Sequence, residues 1–245
     1  MTPPFPWSLP PRTARRQAAI LLVLFYGLVY GTAGLFPVRS SHIAVPILSI
    51  FVLGAGMLLA VRVLVRGDVS WRTSLGLRRE PVGTVVAWSL LGFAATYALN
   101  IILTVGYFLS RGGLEAQAAG RVRWLGHLAA VPVEAILPLA AFVGFWEETV
   151  FRGFLLGRLR AALPVADREG ARLFRDAAAV VLCGVGFGAG HGYQGAVGIL
   201  QTTMAGMVLG ALTVWRGSLW PAIGAHLAID AFGLLVVKIA ARALG

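Results

Sequence analysis

Long apolar segments, separated by short polar segments rich in arginine, dominate the pattern along the chain. The segments 17–36, 43–61 and 82–110 contain 20, 19 and 29 residues, none of which carries a formal charge. Because a helix rises about 1.5 Å per residue, each segment is long enough to cross ~30 Å of hydrocarbon. Predominantly apolar segments follow at 128–156, 177–215 and 218–238.

The segment 177–215 is long enough for two spans. Its only ionisable side chain is His191, and its 39 residues allow a turn near 192–195. Gly184 and Gly188 lie one helical turn apart and predict a small-residue face that admits a closely packed helix. With one span in each other segment, the pattern predicts an all-α, polytopic membrane protein with about seven transmembrane helices.

Composition agrees with this fold class and excludes others. Hydrophobic residues make up 58% of the chain and the mean hydropathy is +0.81. Charged residues make up 13%, about half of the roughly 25% that is usual for a soluble domain. A disordered chain, a fibrous protein and an ordinary soluble enzyme are therefore excluded. The single cysteine, Cys183, excludes an internal disulfide and a CxxC metal site.

The net charge of +11 reflects arginines that flank the predicted spans. Nucleic-acid binding would need a basic patch on a soluble face, so we expect the lipid bilayer as partner and no nucleic acid. With the N-terminus inside, the inner segments carry 14 basic residues and the outer segments 6. This bias predicts a multi-pass protein of the cell membrane with a cytoplasmic N-terminus. The inner set includes Arg158 and Arg160, which we expect to face anionic lipid.

Ionisable side chains lie within the apolar segments of the second half only. A charge at the centre of a membrane helix costs about 2.5–3.5 kcal/mol on the insertion scale, so these residues are candidates for function. The candidate catalytic residues are Glu147, Glu148, Arg152, His191, His226 and Asp230.

The spacing of these residues predicts that they converge. Glu148 and Arg152 lie four residues apart, which favours a structural ion pair on one helix face, and Asp230 has the same spacing from His226. Glu147 comes 22 residues before Glu169, and His191 comes 22 residues after it. A hairpin with its apex near Glu169 would bring Glu147 and His191 to similar depth.

A carboxylate and two imidazoles in a dry cavity are suited to activating water. Glu147 could serve as general base, and the histidines could donate hydrogen bonds to an oxyanion or bind a metal. Two histidines and one glutamate form an established zinc set, so Glu147, His191 and His226 are candidate ligands for Zn²⁺ or another divalent metal. The HExxH signature is absent, so a metal-free site is the alternative.

Three motifs in this order resemble one family. EETVFRG at 147–153, FGAGH at 187–191 and HLAID at 226–230 are similar to the pattern of the intramembrane CAAX-protease and bacteriocin-processing family (CPBP, also called Abi). The resemblance covers about 138–232, and it extends less strongly to LGLR at 75–78. We therefore expect N-terminal transmembrane helices and interfacial segments in residues 1–127 and the catalytic transmembrane core in 128–245.

The resemblance implies an all-α core with an intramembrane catalytic cavity open to the cytosol, and it implies peptide-bond hydrolysis. By this resemblance Glu147 and His191 activate water, and Glu148 and Arg152 support them. His226 and Asp230 would stabilise the oxyanion or help to bind a metal. The eukaryotic CAAX endopeptidases look to have Asn at the position of Asp230, and ionised Asp cannot donate a hydrogen bond. A prenylated CAAX protein is therefore not the substrate that we expect first.

Three function classes remain open at this point. The leading hypothesis is an intramembrane endopeptidase that acts on a peptide or protein substrate at the membrane. The alternative is a non-catalytic membrane scaffold or immunity-type protein that retains the pocket. A transporter is disfavoured because transporters usually show internal repeats, whereas here the ionisable residues lie in one half of the chain.

Overall fold

The computed structural model describes residues 9–33, 44–68, 70–111, 129–163 and 169–244. Within these ranges the regular structure is entirely helical, with no strand. The first half contributes α1 (Pro11–Ala33), α2 (Ala44–Leu64), the single turn α3 (Trp71–Ser74) and α4 (Val82–Arg111). The predicted all-α fold class is confirmed.

The second half begins with one continuous helical segment of changing pitch. It consists of α5 (Val133–Glu148), a π-helical stretch (Thr149–Leu155) and α6 (Leu156–Ala162). The segment is followed by α7 (Glu169–Ala189), a 3-10 turn (Gly192–Gln194), α8 (Gly195–Arg216) and α9 (Trp220–Leu244). The predicted turn near 192–195 is present, and Gly195 adopts a φ of 75° there.

Four of the described helices are long and apolar enough to cross a membrane. These candidate spans are Ile47–Leu64, Val82–Tyr107, Gly192–Arg216 and Trp220–Arg242. Large apolar side chains such as Leu109 and Ile239 are exposed on their outer faces, as expected for contact with lipid. The chain is thus a polytopic, all-helical membrane protein. Its total of seven spans, its orientation and its division at residue 127 stay predictions.

The spacing of Glu147 and His191 around Glu169 places a polar loop at 163–175, and the structure shortens it. Helix α7 begins at Glu169, so Arg172 and Arg175 lie on a helix. Residues 164–168 of that loop, and the segment 112–127 of the predicted N-terminal part, lie outside the described residues.

Arg158 and Arg160 correct a prediction, because both are buried in the protein instead of facing anionic lipid. Arg158 donates hydrogen bonds to Gln17 Oε1 at 2.7 Å and to Asp68 Oδ2 at 3.0 Å. Arg160 donates to both carboxylate oxygens of Asp176, at 2.9 and 2.8 Å. The helix that begins at Val133 continues through these residues. Helix α1 and the turn after α2 supply Gln17 and Asp68 to Arg158, and α7 supplies Asp176 to Arg160.

Glycines allow α7 and α8 to pack closely, as their spacing predicts. A Cβ atom added at Gly188 would overlap the Thr203 side chain, and one at Gly184 would lie 3.0 Å from the Thr203 carbonyl oxygen. On α8, a Cβ at Gly206 would lie 3.0 Å from Gly184 Cα. Helices α7 and α8 therefore pack with their backbones in close contact.

We expect Gly188→Ala to destabilise the protein, because overpacking of a tight contact costs about 1–3 kcal/mol. The measurement is the free energy of unfolding in detergent micelles. The matched control is Gly106→Ala on α4, where an added Cβ meets nothing within 4 Å. Equal stability of the two variants would contradict the prediction.

Candidate active site

His226 on α9 lies at the centre of the candidate site. Its Nδ1 is 2.7 Å from Glu148 Oε1, a hydrogen bond between two buried side chains. Its Nε2 is 3.8 Å from Glu147 Oε2 and 3.6 Å from Asp230 Oδ2. One imidazole therefore contacts three carboxylates, one through Nδ1 and two on the Nε2 side.

A close crossing of α5 and α9 creates this arrangement. A Cβ added at Gly144 would lie 3.2 Å from the Leu227 backbone nitrogen and 3.5 Å from His226 Cβ. Glycine at this position lets the two backbones approach until the His226 ring reaches the glutamates at the end of α5. A larger side chain at Gly144 would separate them.

The π-helical stretch begins directly after the glutamate pair. Its wider turn carries Arg152, and single π-helical turns inside α-helices are frequent at functional sites. Arg152 Nη1 lies 2.9 Å from Glu148 Oε1, and both side chains are fully buried. The predicted four-residue ion pair is present. Glu148 Oε1 thus contacts both the guanidinium and His226.

The Phe187 ring lies among the charged and aromatic groups. The Arg152 guanidinium carbon is 4.1 Å from the centre of this ring. The ring centroid is 6.0 Å from that of His226 and 4.6 Å from that of His191. Phe187 therefore packs against both imidazoles and covers the buried arginine with its π face.

His191 has a defined tautomer when it is neutral. Its Nδ1 lies 2.9 Å from the Phe187 carbonyl oxygen, which can only accept, so Nδ1 must donate. The Nε2 atom of the neutral ring then carries a lone pair. Within the described residues, no hydrogen bond or ion pair joins His191 to Glu147, and the predicted pairing of these two residues stays a prediction.

The structure brings five of the predicted residues into one contact network and places the sixth next to it. Glu147, Glu148, Arg152 and Asp230 surround His226, and His191 adjoins the network through Phe187. Asp230 contacts His226, as their four-residue spacing predicts, but on the Nε2 side of the ring, whereas Glu148 holds Nδ1. The position of Phe187 four residues before His191 was the available signal for its role.

Glu147 differs from its neighbour in what it contacts. Its Oε2 atom is buried and, within the described part of the chain, accepts no hydrogen bond. Glu148 already contacts Arg152 and His226 through Oε1. Glu148 Oε2 is likewise buried without a hydrogen-bond partner among the described residues, so the two carboxylates differ in their other contacts: Glu148 is held by Arg152 and His226, whereas Glu147 approaches His226 only at 3.8 Å.

Within the described residues, Glu147, His191 and His226 do not form a metal-binding cluster, and a bound Zn²⁺ or other divalent metal stays a prediction. In the described ranges, no three His, Cys, Asp or Glu side chains are grouped closely enough to hold a metal ion. One nitrogen of each histidine is already engaged, His191 Nδ1 by the Phe187 carbonyl oxygen and His226 Nδ1 by Glu148.

The segment before α4 packs on the same helix. A Cβ at Gly153, the last residue of EETVFRG, would lie 3.0 Å from the Leu75 carbonyl oxygen. The Leu219 amide donates to the Gly76 carbonyl at 2.9 Å, and Gly76 itself has a φ of 74°. The LGLR segment therefore joins the start of α9 to the π-helical stretch and supports both elements of the site.

Comparison with known proteins agrees with the motifs. Residues 129–232 match the family model described as type II CAAX prenyl endopeptidase Rce1-like. No curated protein and no solved structure matches the chain significantly. The matched range contains all six predicted site residues. Residues 129–232 are therefore similar to an Rce1-like CAAX endopeptidase domain, in agreement with the resemblance that the three motifs carry.

Proposed function

We propose that the protein is an intramembrane endopeptidase that hydrolyses a peptide bond of a membrane-associated peptide or protein, with Glu147 as general base. The observation that carries this proposal is the position of the buried Glu147 Oε2, which lies 3.8 Å from His226 Nε2 and has no hydrogen-bond partner among the described residues. Membership of the matched domain in a protease family supports the reaction class.

The proposed reaction needs one water and one proton carrier. Glu147 takes a proton from water while the water oxygen attacks the scissile carbonyl carbon and forms a tetrahedral oxyanion. When the carbon–nitrogen bond breaks, Glu147 returns the proton to the leaving nitrogen. The first products are a carboxylic acid, which keeps the second hydrogen of the water, and an amine, and Glu147 is again ionised. The acid then loses its proton to the amine, which gives a carboxylate and an ammonium group. The lone pair on His191 Nε2 can accept a hydrogen bond from the other O–H of the water and so orient the water.

His226 is the proposed donor to the oxyanion. With both ring nitrogens protonated, it donates Nδ1–H to Glu148 and offers Nε2–H to the reacting oxygen. Ionised Asp230 cannot donate, so its proposed role is electrostatic, through its position 3.6 Å from that nitrogen. Arg152 positions Glu148 and thereby the imidazole.

The alternative, a membrane scaffold or immunity-type protein, also has an observation in its favour. The buried network of Glu148, Arg152 and His226 joins α5, the π-helical stretch and α9, so it would stabilise their packing without any chemistry. The two proposals differ at Glu147, whose carboxylate the peptidase needs and the scaffold does not.

We expect Glu147→Gln to lower cleavage by about 10²–10⁴-fold, the usual contribution of a general base. New protein termini are compared between cells that express the wild type and the variant at matched levels. The control is Glu134→Gln, an exposed glutamate in the first turn of the same helix. Termini that persist in Glu147→Gln would favour the scaffold.

Arg152→Ala should instead act on stability, because it leaves the buried Glu148 carboxylate without its guanidinium. Removing one partner of a buried ion pair costs about 3–5 kcal/mol. Thermal unfolding in micelles measures this loss, and Arg12→Ala at the exposed start of α1 serves as control. If the two variants have the same melting temperature, the ion pair does not stabilise the fold.

The proposed mechanism also predicts insensitivity to chelators. Because the described donors do not group around a metal position, cleavage should persist in membranes treated with EDTA or 1,10-phenanthroline. The measurement is whether the new protein termini produced by the wild-type protein still form after chelator treatment. Loss of cleavage that added Zn²⁺ restores would show that a metal is required and would overturn the metal-free route.

A further inference from the structure

A cavity that none of the candidate active-site residues lines lies where α4 begins and α8 ends. Its volume is about 240 Å³, well above the ~30 Å³ that one water occupies in the liquid. The lining residues are Arg78, Arg79, Glu80, Pro81, Thr84 and Arg216. Three of these six residues carry a permanent positive charge.

The cavity lies at the level where apolar helices end. One candidate span begins at Val82, directly after the lining arginines, and another ends at Arg216. Trp88 and Trp215 pack edge to face with their ring centroids 4.8 Å apart, and Trp215 is 70% exposed. Tryptophans and arginines at the ends of membrane helices mark the headgroup region of a bilayer.

The charged groups of the cavity have bonding capacity that the protein does not use. Arg216 Nη2 is 3.8 Å from Glu80 Oε1, and its guanidinium stacks on Trp88 at 5.0 Å. Among the described residues, buried Arg216 Nε and buried Glu80 Oε2 have no hydrogen-bond partner. The cavity thus combines an excess of positive charge with one unused acceptor.

We propose that this cavity binds the headgroup of an anionic phospholipid, specifically phosphatidylglycerol. The phosphodiester would accept hydrogen bonds from Arg78, Arg79 and Arg216, since charge-assisted contacts of this kind are strong. A glycerol hydroxyl would donate to Glu80 Oε2. This site is independent of the proposed peptidase activity.

The surroundings favour a lipid headgroup over other anions. The exposed Trp215 ring and the apolar surfaces of α4 and α8 next to the cavity can contact the acyl chains of the same molecule. A soluble anion would gain only the polar contacts. Basic pockets between membrane helices commonly bind anionic headgroups by this combination.

Native mass spectrometry of the full-length protein in detergent tests the proposal. Phosphatidylglycerol, phosphatidylmethanol and phosphatidylcholine with the same acyl chains are titrated separately. We expect one phosphatidylglycerol to bind more tightly than either other lipid. In Arg78→Gln/Arg79→Gln the affinity should fall roughly tenfold or more, since each basic residue near a headgroup contributes on the order of 1 kcal/mol.

The control is Arg12→Gln/Arg66→Gln, which removes the same charge at exposed positions away from the cavity. It should retain the wild-type affinity. If the control loses as much affinity as the cavity variant, binding reflects net charge and the site is overturned. Equal binding of phosphatidylglycerol and phosphatidylcholine also overturns it. Equal binding of phosphatidylmethanol, which lacks free hydroxyls, overturns the contact to Glu80.

The cavity variant must be shown to fold. Its melting temperature without added lipid should equal that of the wild type, because no described ion pair involves Arg78 or Arg79. If the double variant melts lower, Arg79→Gln alone replaces it, since Arg79 is exposed. Unchanged affinity in a folded cavity variant would overturn the proposal.

Discussion

The buried ion pair between Glu148 and Arg152 is the constraint on which the rest of the structure depends. Both side chains are fully excluded from solvent, and an unpaired charge at such a position would be strongly destabilising. The pair is completed by His226, which donates to Glu148, and by Phe187, whose ring covers the guanidinium. These contacts tie α5, the π-helical stretch, α7 and α9 together.

Glycines on the surrounding helices leave room for the groups that contact this ion pair. A Cβ at Gly206 would lie 3.2 Å from Arg152 Nη2 and 3.3 Å from the Phe187 ring, so a larger residue would displace both. Gly144 allows α9 to approach closely enough for His226 to reach Glu148. The ion pair therefore depends on close helix packing, because the groups around the Arg152 guanidinium reach it only when the helices lie near each other.

The two adjacent glutamates have different contacts, and the proposed mechanism gives them different roles. Glu148 contacts both Arg152 and His226 through Oε1, which fixes the position of its carboxylate. Glu147, one residue earlier and about 100° away around the helix, retains an unpartnered oxygen beside His226 Nε2. A similar division applies to the arginines, since Arg158 is buried in ion-paired contacts whereas Arg79 lines a cavity at the membrane interface.

Local patterns in the sequence were enough to predict the helical fold class, the resemblance to the CAAX-protease family and the Glu148–Arg152 pair, and to select six candidate residues. Such features depend on apolar length, on four-residue spacing and on the order of motifs, all of which are properties of neighbouring residues. Tertiary structure alone decided that Glu148 holds His226 Nδ1, that Phe187 adjoins both imidazoles and that Arg158 and Arg160 are buried. These outcomes depend on the rotation of each helix about its axis, on the π-helical turn and on how closely glycines let helices approach, and residue spacing does not encode these quantities.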